Sequence, residues 1–165
     1  MDSVQLGPDD DPDCGNIFMY FYGNSVFLSF DFRRNRTLAL GHIQRAKEYL
    51  EAASQCMQSG NSAPFIDNLF NAAELSAKAV LLVIYDYRPS LRTKSGHRGI
   101  QMRYNKFANL GNVMPEYKET FNRLAGLRDP ARYLKGRLPT ITENEARRMQ
   151  DVVTKMIEDA ERRAR

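Results

Sequence analysis

The sequence lacks several features that define whole classes of protein. It has no tryptophan, two histidines and two cysteines among 165 residues. Cys14 and Cys56 form neither a disulfide framework nor a metal-binding spacing, so we expect a reducing, cytoplasmic location and no metal or cofactor. No apolar run reaches the ~18 residues that cross a bilayer, and no membrane association is expected. The acidic stretch 1–13 is unlike a signal peptide, which begins with a basic segment.

Carboxylates are also missing from one long stretch of the chain, from Tyr87 to Pro115. Residues 87–140 carry twelve basic and three acidic side chains, a local charge of +9, whereas residues 1–15 carry five aspartates and no base. Because basic groups neutralise phosphates, the segment indicates polyanion binding, and the alternative is an ordinary solvated face. The candidate contacts on its first helix are Arg98, Arg103 and Lys106.

The first 34 residues have no helical period. Residues 1–15 predict a disordered acidic leader, since Gly, Pro and Asp dominate there. Two aromatic-rich runs, 17–22 and 26–32, flank a Gly-Asn-Ser turn and predict a β-hairpin within residues 16–34. A lone hairpin is marginal in water, so it must cover the helices or pair with its copy in a second subunit.

From Thr37 onward the apolar residues recur with the helical period of 3.6. The first three predicted helices cover about 37–58, about 62–84 and His97 to Leu110. The fourth begins at Pro115, and Pro130 ends or kinks it. The fifth begins at a capping box whose first residue is Thr142. The second helix is apolar around most of its girth and should be the most buried. The predicted fold is an all-α, up-down bundle of four to five helices over residues 37–165, preceded by the hairpin.

Few residues are candidates for catalysis, because acid–base catalysis commonly uses an imidazole and the sequence has two histidines. His42 lies near the edge of a buried stripe and is interpreted as a packing or capping residue. His97 opens the third helix, inside the basic segment. We find no zinc-ligand spacing, Gly-rich phosphate loop or nucleophile elbow.

A dense basic cluster follows the predicted fourth helix. Arg128 and Arg132 are suited to bind phosphate, and Tyr133 adds a stacking face and a hydroxyl. The alternative is that Asp129 pairs with a neighbouring arginine and ties the helix end to the bundle.

Three segments together resemble one family. Residues 71–82, Asn-Ala-Ala-Glu-Leu-Ser-Ala-Lys-Ala-Val-Leu-Leu, resemble the second helix of HEPN domains (higher eukaryotes and prokaryotes nucleotide-binding). Residues 95–99, Ser-Gly-His-Arg-Gly, resemble their Ser-His-x-Gly helix start. Residues 128–133, Arg-Asp-Pro-Ala-Arg-Tyr, resemble their Arg-x-x-Ala-x-Tyr stretch. The resemblance covers about residues 37–160, and the hairpin is outside the family's usual core.

The resemblance implies a helical bundle that often dimerises and contacts RNA or nucleotides. Many members are metal-independent ribonucleases of toxin–antitoxin or phage-defence systems. Their signature is an arginine, a polar residue, and a histidine four to six residues after the arginine. Arg128 and Asp129 match its start, but no histidine follows His97, and Tyr133 stands roughly at the catalytic position.

Three hypotheses follow. The first is a homodimeric module that binds RNA or a nucleotide through Arg128, Arg132, Tyr133 and Asp129. His97 and the basic residues of its helix extend this contact. The module is non-catalytic, and no catalytic residue is assigned. The second is a divergent ribonuclease that uses His97, brought close by the fold. The third is an interaction subunit, with an antitoxin-like role or a nucleotidyltransferase partner, that docks through the hairpin.

Overall fold

The structure is a computed structural model, and it describes residues 2–5, 15–32, 35–84, 96–133 and 140–165. Within these ranges, three strands precede five helices. None of the described helices combines the length and the apolar character that crossing a bilayer requires.

The strands form an antiparallel sheet in the order β1 (Asp2–Gln5), β2 (Gly15–Tyr22), β3 (Ser25–Phe32). The predicted hairpin is therefore confirmed. Its two-residue turn has Gly23 at φ 59°, the positive value that the first central residue of such a turn needs.

The prediction of a disordered leader over residues 1–15 is wrong for Asp2–Gln5. This segment pairs with β2, and Val4 lies opposite Ile17. The outer edge of β2 presents unpaired backbone groups, and a short extended segment can satisfy them whatever its side chains are. Gly15 already belongs to β2, and the rest of the leader, with Cys14, lies outside the described residues.

The helices confirm the all-α bundle. Their bounds are α1 (Arg36–Gln58), α2 (Ser62–Ile84), α3 (His97–Asn109), α4 (Pro115–Tyr133) and α5 (Glu143–Ala164). The predicted cap of α5 is confirmed, because Thr142 Oγ1 accepts a hydrogen bond from the Glu145 amide at 3.2 Å. Gly111 follows α3 at φ 77°, the left-handed conformation expected at a helix end.

The four long helices alternate in direction. A three-residue turn joins α1 to α2, and the Asn35 side chain, just before α1, donates to the Leu82 carbonyl near the end of α2. The Arg36 Nε donates to the Ala164 carbonyl at the end of α5, which makes α1 and α5 antiparallel as well. The shorter α3 packs against α2 and α4.

α2 is the central helix, as its sequence predicted. It contacts each of the four other helices that the structure describes, and its Ile66, Leu69, Ala73 and Ala77 side chains are completely buried. A side chain that projects from α2 can therefore reach groups from several helices at once.

α4 differs from its prediction near its end. Pro130 was expected to end or kink the helix, yet α4 continues through it to Tyr133. The proline leaves the Gly126 carbonyl without its usual donor, and Gly126 is exposed, so water can take the place of that donor. As a result, Arg128 and Arg132 are four residues apart on one helix face instead of in a loop.

Candidate functional site

Two carboxylates on α2 form the base of a polar cluster. Asp67, Phe70 and Glu74 are spaced three and four residues apart, so they project from one face of the helix. The Glu74 side chain is 9% exposed and the Asp67 side chain 27%. A carboxylate buried in so apolar a helix is stable only with partners, and α3 and α4 supply them.

The first partner is His97, the first residue of α3. Its Nδ1 lies 2.6 and 2.7 Å from the two carboxylate oxygens of Glu74, so Nδ1 carries the proton and donates it. The edge of the Phe70 ring packs against the imidazole, with centroids 5.8 Å apart. The histidine side chain is 54% exposed, and its Nε2 keeps a free lone pair for a second partner.

That second partner is Arg128, whose side chain is only 10% exposed. Its Nη2 donates to the Nε2 of His97 at 3.3 Å, and its guanidinium lies over the Phe70 ring at 4.9 Å. Its Nε lies 3.5 Å from the Oδ1 of Asp67. Glu74, His97, Arg128 and Asp67 thus form one continuous polar chain across three helices.

Arg132 lies at the open side of the cluster. Its Nη1 is 3.7 Å from the same Asp67 Oδ1, and its side chain is 45% exposed. Its guanidinium lies 5.6 Å from the centre of the exposed Tyr133 ring. A planar cation beside an exposed aromatic face is an arrangement that can hold a phosphate and stack a base.

The structure brings together only some of the residues that the sequence singled out. His97, Arg128, Arg132 and Tyr133 meet, whereas Asp129 is exposed and the carboxylate that approaches both arginines is Asp67.

The other candidates on α3 point elsewhere. Helix geometry turns Arg98, Arg103 and Lys106 by about 100°, 240° and 180° from His97, and Lys106 is about 14 Å further along the axis. Of the other cations of the basic segment, Lys118 donates to Asn109 and Arg123 to Glu145. The remaining five, Arg88, Arg92, Lys94, Lys135 and Arg137, lie outside the described residues.

The cluster is balanced in charge instead of strongly positive. Two guanidinium groups face two carboxylates, so the formal charge is zero with a neutral imidazole and +1 with a protonated one. Within the described parts of the chain, no group of three His, Cys, Asp or Glu side chains could hold a metal ion.

Asp67, Phe70 and Glu74 were not identified as site residues from the sequence. A signal was present, because two carboxylates seven residues apart on the most apolar helix require buried partners. Which partners they take depends on how α3 and α4 pack on α2, and a single sequence does not contain that register.

Comparison with protein-family models shows which family the chain is similar to. A family model described as HEPN domain matches residues 39–163, which include all five helices almost completely and exclude the sheet. A search of curated proteins finds no match.

Proposed function

The chain belongs to the HEPN-domain family, and from this premise we propose that it is a non-catalytic module that binds RNA or a nucleotide through the α2–α3–α4 cluster. The phosphate would meet the Arg132 and Arg128 guanidinium groups, with His97 beside it and a base against Tyr133. The proposal includes a cytoplasmic, homodimeric protein of a toxin–antitoxin or phage-defence system.

One observation carries the proposal, namely that the two arginines one turn apart on α4 share a carboxylate oxygen instead of each having its own. Their distances to the Asp67 Oδ1, 3.5 and 3.7 Å, exceed the ~2.7–2.9 Å of a charge-assisted hydrogen bond. Both guanidinium groups therefore keep hydrogen-bonding capacity for a further anion. Arg132, the more exposed of the two, is the first group that a ligand would reach.

The test is a matched pair of charge removals, Arg132→Gln and Arg147→Gln. Arg147 is also exposed, on α5, where it pairs with Glu143. Binding of a short fluorescein-labelled single-stranded RNA is followed by polarisation at several salt concentrations. We expect Arg132→Gln to weaken binding by about tenfold and to reduce the slope of log K against log salt by about 0.7, while Arg147→Gln stays near the wild type. Unchanged affinity in Arg132→Gln and in the Arg128→Ala, Arg132→Ala double variant would remove the proposal.

The Glu74–His97 pair favours a second candidate function, ribonuclease activity. A carboxylate that holds the Nδ1–H leaves the Nε2 lone pair of an imidazole as a base. In such a reaction Nε2 would take the proton of a ribose 2′-hydroxyl, and the 2′-oxygen would attack the adjacent phosphorus. The bond to the 5′-oxygen would break with its electron pair on that oxygen, which would take a proton from water, leaving a 2′,3′-cyclic phosphate and a 5′-hydroxyl. Arg128 would leave Nε2 and bind the phosphate.

Cleavage of labelled RNA in the presence of a chelator tests this candidate. We expect His97→Ala to abolish it and Glu74→Gln to slow it by more than about tenfold, because the imidazole loses the group that orients it. Cleavage that survives His97→Ala would exclude His97 as the base, and no cleavage by the wild type would leave the binding module alone.

The hairpin supports the homodimer. Phe21 lies opposite Val26, and Met19 opposite Leu28, so these four apolar side chains share one face of the sheet, and all four are exposed. A second copy could cover that face, and a partner subunit of the antitoxin or nucleotidyltransferase kind is the alternative. Sedimentation velocity of the wild type and of the Phe21→Ser, Leu28→Ser variant decides whether this face joins two copies; a wild-type monomer would exclude the dimer.

A further inference from the structure

Asp67 occupies the place between the two arginines where a bound anion would lie. Its Oδ1 lies 3.5 Å from the Nε of Arg128 and 3.7 Å from the Nη1 of Arg132. A carboxylate at this point neutralises in the free protein one of the two positive charges that a phosphate would use.

The contact is weak for a buried ion pair. Neither the Asp67 Oδ1 nor the Arg128 Nε, both shielded from solvent, has a hydrogen-bond partner among the described residues. Leaving such groups unpaired costs stability, and a geometry that satisfies them is preferred when one becomes accessible. The Asp67 side chain is 27% exposed, so a rotation about its side-chain bonds can bring the carboxylate into water.

We propose that Asp67 is a built-in counter-anion, which an incoming phosphate displaces from Arg128 and Arg132. The inference rests on the proposed function, since it describes how the same site is kept neutral until it is occupied. A phosphate presents several oxygens and can accept from both guanidinium groups in good geometry, whereas the single Oδ1 does not. Asp67 thereby lowers the affinity for any anion and restricts the site to ligands that can compete with a carboxylate.

The experiment compares Asp67→Asn with Asp151→Asn, using the same labelled RNA. Each substitution removes one negative charge, but Asp151 lies on the exposed side of α5. We expect Asp67→Asn to bind about tenfold tighter and its salt slope to steepen by about 0.7, because one more cation becomes available to the phosphates. Asp151→Asn should stay within about twofold of the wild type, since exposed charges are screened.

The possible outcomes separate this inference from the proposed function. Weaker or unchanged binding by Asp67→Asn, with binding still weakened about tenfold in Arg132→Gln, would show that Asp67 positions the guanidinium groups instead of blocking them. That result would overturn the inference alone. If the wild type and Asp67→Asn both fail to bind, the proposed function fails with it. Asp67→Ser, with circular dichroism to verify its fold, repeats the test in case the amide itself perturbs the cluster.

Discussion

Glu74 illustrates how a single side chain on α2 decides what the site can do. Both its oxygens contact one nitrogen of His97, so the imidazole is held in one tautomer and the carboxylate is satisfied despite its burial. The same burial in an apolar environment without His97 would leave a charge unpaired, which is strongly unfavourable. The histidine was a candidate from its place in the basic segment, but its carboxylate partner is 23 residues away in sequence. Only the packing of α3 on α2 joins them.

His42 shows the opposite situation, because the described part of the chain offers its Nε2 no hydrogen-bond partner. It was interpreted as a packing or capping residue of α1, and it is half-buried, with its Nε2 shielded and no hydrogen-bond partner among the described residues. Burial, assisted by the nearby charge of Lys78, lowers the pKa of His42 from 6.5 to about 4. The imidazole is therefore neutral in the folded protein at neutral pH.

The lowered pKa of His42 in the folded protein predicts that stability depends on pH. Between pH 6.5 and about 4 the unfolded chain binds a proton at His42 that the folded chain does not, so the free energy of unfolding falls as the pH falls through this range. Between about pH 7 and about pH 5, the free energy of unfolding should fall by on the order of 1 kcal/mol less in His42→Leu than in the wild type. This value allows for the partial solvent exposure of the ring. Urea unfolding of both proteins at the two pH values measures it. Equal losses would show that His42 titrates normally in the folded state.

At the scale of single elements, the helix boundaries that local backbone geometry sets are predicted from sequence more reliably than those that depend on packing. Thr142 and Gly111 act through local backbone geometry, so their roles could be predicted. Pro130 also acts locally, but the packing of α4 against α2 outweighs it. Phe121, Leu124 and Leu127 are buried on that helix, and Arg128 contacts Phe70 of α2 two residues before the proline. Long-range contacts of this kind are absent from a residue pattern, so the sequence alone could not show that the helix continues past Pro130.

The continuity of α4 can be tested by replacing Gly126 with alanine. Gly126 lies in the helix interior with a negative φ, and a Cβ added there would meet nothing within 4 Å. Gly126→Ala should therefore raise the free energy of unfolding by about 0.5–1 kcal/mol, as expected for a helical alanine.

The matched control is Gly111→Ala, the same chemical change just after α3. The Cβ would again have open space, but the φ of 77° is strained for alanine, so the free energy of unfolding should fall by about 1 kcal/mol. Guanidinium unfolding measures both variants. A loss of stability in Gly126→Ala would indicate that α4 is broken or distorted before its last two turns.

At the scale of the whole molecule, the sequence predicted the architecture because the core is formed by periodic helical segments. Among the residues whose burial the structure describes, every member of the buried hydrophobic cluster lies between Ala39 and Ala164. The strands pair among themselves and leave apolar side chains such as Phe21 and Leu28 exposed. From the sequence, the hairpin could cover either the helices or a second subunit. Alternation along a strand shows which side chains share a face, but it does not show what covers that face.

This division predicts that the helices fold without the sheet. A chain that begins at Asn35 keeps the hydrogen bonds from Asn35 to Leu82 and from Arg36 to Ala164, and we expect it to unfold cooperatively within about 5 °C of the full chain in a thermal melt followed by circular dichroism. A chain that begins at Leu38 is the matched control. It loses both bonds, which connect the start of α1 to the ends of α2 and α5, and should be less stable than the Asn35 chain by about 1–3 kcal/mol. If the Asn35 chain aggregates or loses its cooperative transition, the sheet must contribute to the core, and the exposed apolar face of the hairpin would then be a surface that the helices cover for part of the time.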